Sequence, residues 1–325
     1  MKILFVFTGG TIGSTLSSSV ISIDKNKSYK LIDAYEKKFG IDFDYECISP
    51  YLSLSENNTG EHISLLYSCV KDNLDKGYDG IIVLHGTDTL QYSAIALSYT
   101  LNTNIPVCVV SSSYPLENEK SNALVNLHAG ILTIKNRLGS GVFVPFKNTK
   151  DNYTKLHVAT RLLFSTSFSD EVKSKDDSEY GYFDKDFTFV KNENFVAKEQ
   201  VLSPFSPCLT DVSNVLFLTA YPGMQYPLLS ESIKCVLISA YHSGTIDTQS
   251  ENAKTFYKNA KEKGIKVFVS GVKDGDKYES TTQFSALSIT PIYDLSPLAC
   301  YVKLWLITSQ NKSEDLLLLP LGKDC

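Results

Sequence analysis

The chain has 325 residues, with 31 lysines and arginines against 36 aspartates and glutamates, a formal net charge of −5. That balance offers no basic face to neutralise a phosphate backbone, so no nucleic-acid partner is expected; no run reaches the roughly 18 apolar residues of a membrane span either. With 43% hydrophobic and 21% charged residues, the composition is that of a globular protein long enough for two domains.

The first element is the apolar run Ile3-Leu4-Phe5-Val6-Phe7. A β-branched and aromatic run of this length reads as a buried strand, and nothing ahead of it reads as a signal segment, which makes the cytoplasm the expected compartment. It breaks into Thr8-Gly9-Gly10-Thr11-Ile12-Gly13, where the glycines permit a sharp turn at the strand's carboxyl end. A hydroxyl held there, Thr11, is a candidate nucleophile; the plainer alternative is a glycine turn whose threonines only cap the next segment. The polar stretch Ser14 to Lys27 reads as a loop, either a lid over the strand end or a plain excursion.

Helical spacing runs from Leu31 to Phe39 and a short strand covers Tyr45 to Ile48. Thr59 followed by Glu61 and His62 marks a helix start, with Ile63, Leu66 and Val70 as its buried face. Gly80-Ile81-Ile82-Val83-Leu84 is a second buried strand, ending in His85-Gly86-Thr87-Asp88-Thr89 before a helix over Leu90 to Leu101. If both strands belong to one parallel sheet, their ends bring Thr11, Thr87 and Asp88 to a common crevice. Next come a strand at Pro106–Ser111, a helix at Asn122–Lys135, a strand at Gly141–Phe146 and the segment Asn152-Tyr153-Thr154-Lys155-Leu156-His157. Lys173 to Glu179 reads as an exposed turn and Tyr180 to Val190 as a hairpin. Composition changes around Pro204 and Pro207, and the strand, turn and helix rhythm then resumes through Val215–Leu218, Cys235–Ser239 and Val267–Ser270. Ser296-Pro297 is a strong helix start, opening a largely apolar helix.

Seven cysteines, Cys47, Cys69, Cys108, Cys208, Cys235, Cys300 and Cys325, are scattered without a Cys-x-x-Cys pair, and none of the five histidines stands four residues from another. They read as free thiols and isolated imidazoles, so no metal and no cofactor is expected.

Two of these loops carry a specific likeness. Thr8-Gly9-Gly10-Thr11-Ile12 and His85-Gly86-Thr87-Asp88-Thr89 match the two signature loops of the bacterial-type L-asparaginase family, and the chain resembles that family, closest to its cytoplasmic type I enzymes, from Met1 to about Leu306. The resemblance implies an α/β fold of two domains, with a larger Rossmann-like parallel sheet at residues 1–190, a linker at 191–212 and a smaller α/β domain at 213–325. It further implies hydrolysis of L-asparagine, with L-glutamine as a possible second substrate. Thr11 would form the acyl-enzyme, while Thr87, Asp88 and Lys155 form the second set, with the Lys155 ammonium meeting the threonine and the aspartate. Gly10, Ser55, Glu56, Gly86 and Asp88 would bind substrate, Ser55 and Glu56 taking the α-carboxylate and α-ammonium. A homodimer or homotetramer is implied, in which the loop near Tyr241 and Ile246 meets a neighbouring subunit.

Three departures are visible. Ser14 to Ser28 holds no tyrosine where the family carries one, and Val20 stands about there. Leu54-Ser55-Glu56-Asn57-Asn58 replaces a pattern close to Asp-Ser-Ser-Asn-Met, and Tyr241-His242-Ser243-Gly244-Thr245 replaces the usual Gly-x-Gly-Asn. Two competing readings therefore stand beside the asparaginase. One is an ammonia-producing glutaminase-type subunit, expected to need a further partner-binding domain for which no length precedes the first strand; the other is an amino-acid-binding homologue with little turnover.

Overall fold

The computed structural model describes residues 1–9, 14–17, 20–23, 28–169, 171–275 and 277–324, with backbone alone at 14–17, 20–23, 28 and 29. Five parallel strands form the heart of the larger sheet: β1 (Lys2–Phe7), β4 (Asp44–Ile48), β5 (Gly80–Leu84), β6 (Pro106–Val110) and β7 (Gly141–Phe146). Antiparallel β8 (Thr154–Val158), β9 (Gly181–Phe183) and β10 (Phe189–Lys191) extend one edge, giving the order β10-β9-β8-β7-β6-β5-β1-β4. A separate sheet of four parallel strands runs β11 (Val215–Thr219), β12 (Cys235–Ser239), β13 (Lys266–Ser270) and β14 (Ile289–Pro291). The polar stretch after β1 is not simply a loop: Ser14–Ser17 (β2) pairs antiparallel with Val20–Ile23 (β3).

The strands of the larger sheet are apolar on both faces because both faces are covered. One face packs Ile3, Phe5, Ile82, Leu84, Cys108 and Val110 against α1 (Ser28–Phe39) and α4 (Ala123–Lys135). The other packs Leu4, Val6, Ile81, Val83, Val107 and Val109 against α2 (Gly60–Lys71) and α3 (Leu90–Thr100). Nearly every residue of α3 is buried, since its far side meets the second sheet. There Ile95, Ala96 and Tyr99 join Leu237 and Phe268, together with Leu298, Val302, Leu304 and Ile307 of α7 (Pro297–Ser309), in a single cluster. The start of α7 follows its sequence signal, with Pro297 in the first turn and the Ser296 side chain accepting from Ala299 N.

Ile246 corrects the interface expectation at this level. It is 5% exposed and belongs to the second sheet's own core with Val236, Ile238 and Val269, because the turn from Tyr241 folds back, Tyr241 N donating to Thr245 O at 3.0 Å. Among the described residues, no helix is long and apolar enough to cross a membrane.

Candidate active site

In an open parallel sheet, ligands bind beyond the carboxyl ends of the strands. Here that edge is lined by the segments that leave β1, β5 and β6. Alternation along the strands puts Thr8, His85 and Ser111 on the α3 side, and they are 2%, 0% and 0% exposed. They form a polar floor on which the loops rest. Thr8 is tied to β5 twice, through N and Oγ1 to Leu84 O at 3.1 and 2.9 Å. Gly9 has φ +100° and bridges Ser53; a Cβ there would run into the Ser53 carbonyl, so a glycine is required where β1 leaves the sheet. Gly10 and Thr11, the predicted nucleophile and its neighbour, lie outside the described residues.

The loop after β5 is held against the segment before α2. Ser55, 4% exposed, donates from Oγ to Asp88 Oδ2 at 3.3 Å and accepts from Asp88 N at 3.3 Å. Thr89 Oγ1 donates to Ser55 O at 2.9 Å, and Asn58 Nδ2 donates to Thr89 Oγ1 at 3.2 Å. Gly86 is buried, Thr87 half-buried and Asp88 exposed, so the carboxylate faces outward from the strand end. Among the described residues the Thr87 hydroxyl has no hydrogen-bond partner, and Glu56 is exposed in the short 3-10 turn Ser55–Asn57. Of the expected site residues, Ser55, Gly86, Thr87 and Asp88 thus come together.

Lys155 stands near the start of β8, in register with Phe146, the last residue of β7, and so at the same carboxyl edge of the sheet as the loops after β1 and β5. Its ammonium pairs with Glu179 Oε1 at 3.2 Å, and no hydrogen bond or ion pair among the described residues joins it to Thr87 or Asp88. Burial draws the Lys155 ammonium down, but the Glu179 carboxylate outweighs it and holds the group above its ordinary value. Beside it His157, fully buried and bonded through Nδ1 to Ser174 Oγ at 2.8 Å, is pushed down to about 3 by burial and by Lys155, so it stays neutral. Lys155→Met is expected to lower stability by about 3 kcal/mol, because Glu179 is left without its cation. Turnover of the same variant tests the expected role of the ammonium: a loss of about a hundredfold or more supports it, and turnover within about threefold of wild type removes Lys155 from the reacting centre.

Sequence reasoning overlooked Asn58, His85 and Ser111. The only signal available was their position, immediately beside the hydroxyl loops at the ends of apolar strands.

Comparison with known proteins gives the family and the fold. A family model described as Asparaginase, N-terminal, matches residues 2–194. A glutamyl-tRNA(Gln) amidotransferase subunit from Sulfolobus acidocaldarius is 26% identical over 329 residues, covering 95% of this chain and 72% of that protein. The subunit of the same name from Methanococcus maripaludis is 25% identical over 271 residues, with 77% of this chain matched but only 62% of the relative. Among solved structures, L-asparaginase I from Vibrio cholerae superposes with a TM-score of 0.76 at 22% identity, covering 97% of this chain and 95% of its own. The fold is shared at an identity too low to carry residue roles by itself.

Proposed function

Since the chain belongs to the asparaginase family, we propose that it hydrolyses the side-chain amide of L-asparagine, breaking the C–N bond to give L-aspartate and ammonia without a metal or cofactor. The observation that carries this reading is the placing of a Thr87 hydroxyl, without a partner among the described residues, next to an exposed Asp88 that Ser55 holds at the carboxyl end of β5, beside the end of β1 that leads to Thr11. Asp88 is placed to meet an α-ammonium, a charge-assisted contact stronger than a neutral one. Ser55 already bonds to Asp88, and its role in this reading is to orient that carboxylate. Thr11 and Thr87 supply the hydroxyls, and Lys155, at the same edge of the sheet, supplies the ammonium of the second set.

A second reading is favoured by the names of the curated relatives: an amide hydrolase whose ammonia passes to a partner enzyme. The experiment for both is ammonia release by the purified chain from L-asparagine and from L-glutamine, with aspartate or glutamate quantified in parallel. The first reading expects kcat/KM for asparagine at least about tenfold above that for glutamine, a difference of about 1.4 kcal/mol in transition-state binding. The reverse preference supports the second. Calorimetric binding of asparagine without any ammonia would sink both and leave an amino-acid-binding protein.

A further inference from the structure

Asn58 stands where the resembled family pattern has methionine, and it replaces an apolar side chain with an amide at the junction of the two loops. The hydrogen-bonding around it admits one solution. Gly86 O, 2.8 Å from His85 Nδ1, can only accept, so Nδ1 carries a proton. Thr89 Oγ1 uses its one hydrogen on Ser55 O, so the Asn58 atom facing it must donate and is the amide nitrogen. That same nitrogen lies 3.5 Å from His85 Nε2, which accepts with its lone pair. The Asn58 amide therefore reaches both the imidazole under the loop and the hydroxyl on it, while Asn58 Oδ1 is buried without a partner among the described residues.

We propose that Asn58 is a positioning residue. Its amide donates to His85 Nε2 and Thr89 Oγ1 together, and this selects the neutral Nδ1–H form of His85 that clamps the Gly86 carbonyl and sets the direction of Thr87 and Asp88. The inference rests on the amide-hydrolase reading for its consequence, but not for its test. Burial already pushes the His85 imidazole down, against the pull of the Gly86 carbonyl, in keeping with a neutral ring. Beside His85 stand Thr8 just past β1, Ser111 just past β6 and Asn58 ahead of α2, with Asp88 on the same loop. Of these Asp88 is the one acidic side chain, and it is exposed.

The test is nitrogen NMR on protein labelled at its five histidines, with assignment by His85→Gln. The wild type is expected to show one imidazole protonated at Nδ1 and bare at Nε2 that titrates below the ordinary imidazole value. Asn58→Asp keeps the size but turns the donor into a carboxylate. The folded-state value for His85 then rises, so that below its new value both nitrogens carry protons, and kcat/KM falls about tenfold with a new acidic limb in its pH profile. Asn58→Leu removes the donor without adding charge and should leave both tautomers populated. A wild-type ring protonated at Nε2, or His85 signals identical in all three proteins, overturns the proposal. If the signals behave as expected but no amide is hydrolysed, the positioning role stands and the functional reading falls.

Discussion

Thr87→Val is expected to lower kcat for asparagine hydrolysis by at least about 10³-fold, and Thr11→Ala to do the same, with the fold intact. Valine has nearly the shape of threonine, and Thr87 is half-buried with no partner for its hydroxyl among the described residues, so removing it breaks no bond to any of them. Its loop is held instead by Ser55, Asn58 and Thr89. A nucleophile and its partner acting as one unit are strongly non-additive, so the double variant should be no slower than the worse single one. Ammonia release and circular dichroism on the same preparations decide the matter. A Thr87→Val protein retaining a tenth or more of wild-type turnover would show that the hydroxyl at the end of β5 is not part of the chemistry.

The second large effect is on stability and lies far from that edge. Lys303 of α7 is fully buried and paired with Asp324 at 2.8 Å, both side chains 0% exposed. The ammonium also donates to Leu319 O at 2.5 Å and lies 5.0 Å from the centre of the Tyr99 ring, while Asp324 Oδ1 accepts from Leu321 N. Around this pair the segment that follows α7 is strapped to the first half. Gly322 O accepts from Ser98 Oγ and Thr160 Oγ1, Lys323 O from Arg161 Nε, and Gln200 Oε1 from Lys323 N. Removing one partner leaves an uncompensated buried charge, so Lys303→Met or Asp324→Leu is each expected to cost about 3–5 kcal/mol, read as a fall in the urea midpoint. Combining them should recover most of the loss, because a well-packed apolar pair replaces a buried ionic one at little net cost. If the double variant is as unstable as the sum of the singles, the pair is not coupled and the segment is held by its backbone bonds alone.

The parts legible in the sequence were those fixed by local physics. The runs at Ile3 and Ile81 are too apolar to face water on either side, so they had to be central parallel strands, and glycine and hydroxyl residues at their ends had to form the open edge. Ser296-Pro297 determined a helix start by its own geometry. What remained hidden depended on pairing at a distance. The pairing of Lys155 with Glu179 cannot be read locally, since only the antiparallel return of β8 and β9 brings that carboxylate to it. Ile246 lies next to a polar turn, and nothing local says that the turn folds its side chain inward. Asn58 reads as a turn residue until His85 and Thr89 are brought to either side of it.

Helix α3 begins at the residue after Thr89 and ends beneath Lys303, and between those points almost no side chain reaches solvent. It serves both halves of the molecule at once, as a wall for the larger sheet on one side and for the cluster around α7 on the other. The point where composition changes along the chain is therefore not a seam at which the molecule can be cut. A fragment ending at residue 194 keeps both signature loops, yet it leaves Ile95, Ala96 and Tyr99 facing water in place of Leu298, Val302 and Ile307. During synthesis that face of α3 therefore stays uncovered until α7 has emerged, although both loops at the carboxyl edge are already made.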